Sequence, residues 1–111
     1  MKTILLGISG SISAYKAADI TNELTKMGYK LDVVMTKNST EFITPLAIQS
    51  LSHRRVHLDV MDEPDAALIN HIALAKNADL FLVAPASANM VGKLANGIAD
   101  DLLSTVALAL L

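Results

Sequence analysis

This sequence predicts an α/β fold built on a doubly wound parallel sheet, and three observations lead there. Short apolar runs of strand length alternate with stretches of helical period, and the run Thr3 to Ile8 is apolar enough for a strand covered on both faces. Glycine and proline turns close the first run and the clearest one, Leu80 to Ala84. The stretch between the first two runs reads as a helix, so those strands lie parallel across a right-handed crossover. With 111 residues the chain suits one domain, and 52% hydrophobic content supplies a core.

The elements follow in order. After the first strand, Ala14, Ala17, Ile20, Leu24 and Met27 recur at helical spacing, with Ser13 expected as N-cap and Gly28 as the residue just past the C-cap. Lys30 to Met35 is the second strand. Asn38-Ser39-Thr40 looks like a cap, and Pro45 after Thr44 opens a short helix to about Leu51. Arg55 to Val60 is expected as a third, shorter strand, and Met61 to Asp65 as a polar loop. A helix around Ile69 to Lys76 precedes the strand Leu80 to Ala84. Ser87 begins a helix to about Ala95, Asn96-Gly97 breaks it, and Asp100-Asp101 begin another with acidic residues near its positive end. The order is that of a Rossmann or flavodoxin-like three-layer domain. Its apolar ending, Thr105 to Leu111, predicts a domain over residues 1–111 that stops before its last strands.

Composition narrows the function. The net charge is −2 and no Lys/Arg cluster exceeds Arg54-Arg55, which argues against nucleic acid and a charged membrane surface as partners. The absence of cysteine excludes disulfides, thiolate metal sites and a thiol nucleophile within this chain. The histidines lack zinc-ligand spacing, so no metal site is expected. Gly7 and Gly10 interrupt the first apolar stretch too early for a signal peptide, and the apolar segment from Asp101 is about half a membrane span, so the cytoplasm is the expected location.

In such a sheet, ligands bind beyond the strands' carboxyl ends where strand order reverses. If the order is 3-2-1-4, the loops there are Ser9-Gly10-Ser11-Ile12-Ser13 and Pro85-Ala86-Ser87-Ala88-Asn89, both rich in small residues and both opening a helix. The first is neither a dinucleotide fingerprint nor a Walker loop. Free N–H groups at a helix start, with Ser11 and Ser13, favour an anion. A glycine turn with a serine cap also needs no ligand, and only the second loop tilts the reading towards a site. Thr36 and Ser39 add hydroxyls at the same edge, where helix capping is the alternative. Met90 lies beside the second loop. His71 precedes a short helical pattern near the site and has the chemistry of an acid/base at neutral pH, although a lone histidine is more often structural. His53 and His57, flanking Arg54-Arg55, are expected on a solvated surface.

The segments GISGSISAYK, VMTK, NHIALAKNAD, PASAN and KLANGIADDLLST together resemble the homo-oligomeric flavin-containing cysteine decarboxylases, over essentially the whole chain. That resemblance implies FMN as cofactor. It places Gly10, Ser11 and Ile12 in a first flavin loop, Thr36 and Ser39 near the phosphate, Ser87, Ala88, Asn89 and Met90 in a second loop, and Phe42 near the cofactor. His71 matches the family's essential histidine. The coenzyme A branch, the nearest match, implies 4′-phosphopantothenoylcysteine as substrate and 4′-phosphopantetheine as product. The implied chemistry is oxidation of the cysteine thiol by FMN to a thioaldehyde, loss of carbon dioxide to an enethiol, and return of the electrons. The resemblance also implies a homotrimer or dodecamer with FMN at the subunit interface. The family's asparagine motif for the substrate carboxylate and its clamp cysteine have no counterpart among these residues. A non-catalytic FMN-binding subunit and a flavin prenyltransferase therefore stay open as alternatives.

Overall fold

The computed structural model describes residues 2–10, 12–58, 73–100 and 102–109. Four strands, β1 (Thr3–Ile8), β2 (Lys30–Met35), β3 (Val56–His57) and β4 (Leu80–Val83), form one parallel sheet in the order β3-β2-β1-β4. Reversal of strand order thus falls between β1 and β4, as the sequence predicts. At the opposite end of these strands, the Thr3 N–H donates to Asp79 Oδ2 at 2.7 Å and the Asp79 N–H returns to the Thr3 carbonyl at 2.8 Å, which pins the start of β4 to β1.

Alternation along β1 divides the core. Ile4, Leu6 and Ile8 share one face with Leu31, Val33 and Met35, where they meet Ala14, Ala17 and Ile48. Helices α1 (Lys16–Lys26) and α2 (Pro45–Ser52) cover this face. Leu5 and Val34 take the other, beneath Leu74, Met90, Leu102, Leu103 and Val106. That side carries α3 (residues 73–77), α4 (Ala88–Asn96) and α5 (Leu102–Ala109). Gly7 permits the closest approach: a β-carbon there would run into the Leu103 side chain, so α5 sits directly on the central strand. No described helix is long and apolar enough to cross a membrane.

Local signals explain most helix ends. Gly28 has φ +93, its N–H bonds the Thr25 carbonyl and that of Tyr29 bonds Leu24, which satisfies the last carbonyls of α1. The Thr44 hydroxyl accepts from the Ala47 N–H ahead of Pro45, and the Ser87 hydroxyl accepts from the Met90 N–H, each at 3.1 Å.

Four expectations need correction. Ser13 is not the N-cap of α1: a 3₁₀ turn, Ile12–Tyr15, runs straight into the helix, so Ser13 lies inside helical backbone and Tyr15 takes the cap position without a side-chain bond. Asp100 stands two residues before α5 and pairs with Lys93, while Asp101 of the same expectation lies outside the described residues. His57 is half-buried in β3, and Arg54 donates to the buried Asp32 carboxylate at 2.6 Å, so neither is simply solvated. The third strand is described only over Val56–His57, with Arg55 and Leu58 outside it; residues 59–60 of the expected strand, like 69–72 of the expected helix, lie outside the described residues.

Candidate functional site

At the carboxyl end of the sheet the backbone groups of β1 turn towards both neighbours. The Ile8 carbonyl accepts from the Thr36 N–H at 2.9 Å, and the Gly7 carbonyl accepts from the Ala84 N–H at 2.9 Å. The chain then leaves the sheet at Ser9, whose hydroxyl accepts from the Ser87 N–H and donates to the Pro85 carbonyl, each at 2.7 Å. The Ser9 N–H donates to the same carbonyl at 3.2 Å. A single side chain therefore ties the two loops together across the reversal of strand order.

Above that tie lies a cavity of about 270 Å³, lined by Ser9, Gly10, Thr36, Asn38, Ser87 and Asn89 together with Lys37, Met90, Lys93 and Asp100. Gly10 makes the close meeting of loops possible: a β-carbon would lie 2.6 Å from Asn38 Cβ. Thr36 is buried, and its hydroxyl accepts from the Ser39 N–H at 3.3 Å. The Ser39 hydroxyl donates to the Thr36 carbonyl at 2.6 Å, which shapes the 3₁₀ turn Asn38–Glu41 beside the cavity. Met90 belongs both to the cavity wall and to the core under α4. The lining is polar and hydroxyl-rich, and it includes two lysines and one aspartate. It can receive an oxyanion and hydrogen-bond a polar ligand.

Of the residues singled out by sequence, Gly10, Thr36, Ser87, Asn89 and Met90 meet at this cavity. Ser39 is buried with its hydroxyl turned to the backbone of Thr36, and Ala88 is exposed at the start of α4, outside the cavity lining. Phe42 also lies outside that lining and is 49% exposed. Ile12 begins the 3₁₀ turn into α1; Ser11 and His71 lie outside the described residues. Sequence reasoning did not select Ser9, Lys37, Asn38, Lys93 or Asp100 as site residues. Lys93 had a signal, since it follows Asn89 by one helical turn on the same face of α4. Among the described residues no cluster of His, Cys, Asp and Glu has the makings of a metal site.

A family model described as Flavoprotein matches residues 1–111. The chain is 58% identical over 109 residues to a probable phosphopantothenoylcysteine decarboxylase of Streptococcus mutans, covering 98% of this chain and 61% of that protein. It is 51% identical over 108 residues to the coenzyme A biosynthesis bifunctional protein CoaBC of Vibrio vulnificus, covering 97% of this chain and 27% of that one. Among solved structures, the FMN-dependent cysteine decarboxylase TvaF of thioviridamide biosynthesis superposes with a TM-score of 0.87 at 28% identity, covering 98% of this chain and 67% of that chain. The chain thus spans about three fifths of the Streptococcus relative and about a quarter of the Vibrio one.

Proposed function

This chain belongs to the Flavoprotein family, and from that premise we propose that it is the FMN-holding part of a phosphopantothenoylcysteine decarboxylase acting in coenzyme A biosynthesis. The observation that carries the reading is the Ser9 tie, which joins the two small-residue loops under one polar cavity at the reversal of strand order. The identity to the Streptococcus protein supplies the substrate class. We take residues 1–111 as the front of a longer domain, because the relatives extend well beyond the matched region.

The donor set fits a flavin mononucleotide. Gly10 leaves the space a β-carbon would fill, and Thr36, Ser87, Asn89 and Met90 line the same cavity, while Ser39 and Ala88, outside that lining, join the proposed set by the family resemblance. Ser11, Ile12 and Phe42 complete the proposed cofactor set by the family resemblance. When bound, FMN supplies two-electron redox chemistry that these side chains lack. The chain's own part is to bind and orient it, and His71 is proposed to hold or move a proton, or to position the substrate, beside the reacting thiol and carboxylate.

A homo-oligomer, trimeric or dodecameric with FMN at the subunit interface, belongs to the same proposal. Large apolar side chains left at the surface, among them Phe42, Leu46 and Val91, support it. A cytoplasmic location goes with the substrate class. The test is His71→Asn in the full-length protein that carries this chain: FMN stays bound while decarboxylation falls by about 10²-fold or more. Unchanged turnover would remove His71 from the mechanism.

A further inference from the structure

The loops that sequence singles out are neutral, yet the cavity they form carries charge. Three charged side chains line it among the described residues: Lys37, Lys93 and Asp100. Lys37 is exposed at the entry to the 3₁₀ turn. Lys93 is different. Its side chain is 17% exposed, and its Nζ lies 2.9 Å from Oδ1 of Asp100, whose side chain is 61% exposed.

The pair is therefore unequal. A lysine whose side chain is mostly covered keeps its ammonium beside a counter-charge, because desolvation is costly. An exposed carboxylate gains little from an ion pair, since water solvates it nearly as well. Asp100 can leave Lys93 at small cost once a better anion stands in the cavity. The rest of the lining points to that anion: Gly10, Thr36 and Ser87 gather hydroxyl and backbone groups around the same space. Neutral donors together with one ammonium suit a compact oxyanion carrying two charges.

We propose that Lys93 is the counter-charge for the phosphate of the bound flavin mononucleotide, and that Asp100 is the stand-in anion which the phosphate displaces. The inference rests on the flavin reading above. It assigns Lys93 a binding role and Asp100 a competing one, so their substitutions act in opposite directions.

The test compares FMN with riboflavin, which has the same ring and no phosphate, in fluorescence titrations of the full-length protein and of Lys93→Met, Lys93→Arg and Asp100→Asn. The ratio of the two affinities within each protein removes any general loss of fold. Lys93→Met is expected to cut the preference for FMN about tenfold or more, Lys93→Arg to keep most of it, and Asp100→Asn to keep or raise it. If Lys93→Met leaves the ratio unchanged, or Asp100→Asn lowers it in step with Lys93→Met, the pair is a strut between α4 and α5 and the proposal falls. Should Lys93→Met not fold, the direction of Asp100→Asn still decides. A native protein that binds riboflavin as tightly as FMN overturns the role of Lys93 alone; one that binds neither overturns the flavin reading as well.

Discussion

His57 sits half-buried on the edge strand, paired in register with Val34 and close to Asp32, Arg54 and Arg55. Burial lowers its pKa below the ordinary 6.5; Asp32 opposes that shift, while Arg55 and Arg54 add to it. The folded protein thus resists a proton that the unfolded chain accepts. Stability from this group is complete above pH 6.5 and is lost as pH falls from 6.5 towards the folded value. Urea titrations of the native protein and of His57→Gln at several pH values check this: the native midpoint falls across that window more steeply than the variant's, and parallel curves would exclude the effect. The sequence showed that histidine but not its setting. Arg54 and Asp32 are 22 residues apart, and only the packing of β2 beside the α2–β3 connection makes them partners. Ser87 was legible as a helix start because it bonds an amide three residues ahead, within the same local segment, whereas the cap expected at Asn38-Ser39-Thr40 is a 3₁₀ turn and Thr44 caps α2 instead. Ser9 was legible as part of a loop and not as the link between loops, since its partners lie 76 and 78 residues away.

The elements around the cavity are short, and their spacing leaves no slack. At Gly10 the β1 loop passes the Asn38–Glu41 turn so closely that a methyl group would stand 2.6 Å from Asn38 Cβ, with the Asn38 carbonyl carbon at 3.2 Å. Relief requires backbone movement on one side of the cavity. Gly10→Ala is expected to weaken FMN binding about tenfold or more while costing roughly 1–3 kcal/mol of stability. Isothermal titration and thermal unfolding of the same sample check both, and native FMN affinity in the Gly10→Ala variant would contradict the proposed role of this loop. The strands β1 and β2 and the helices α2 and α4 were readable because apolar period and terminal signals agree over several residues, and α1 was readable from its period and its closing Gly28 although its start was not. The two 3₁₀ turns were not, since four residues hold no period and their geometry follows from how the loops meet.

Across the whole molecule, sheet order determines where a ligand can sit. Because β1 lies between β2 and β4, the connections from β1 and β4 diverge to opposite faces and open a crevice at their carboxyl ends. The apolar run of β1 made its burial on both faces legible in the sequence, and the structure adds that Gly7 lies under Leu103. The half-buried β4 pairs only with β1 among the described residues, and the chain spans about three fifths of the Streptococcus relative. Flavin binding is the claim on which the other assignments stand. The most direct measurement is the visible absorption spectrum of the purified full-length protein, before and after addition of FMN. The account predicts a yellow protein, or one that takes up FMN and shifts its flavin bands on binding. A colourless protein whose added FMN stays spectroscopically free and passes through a desalting column would contradict it.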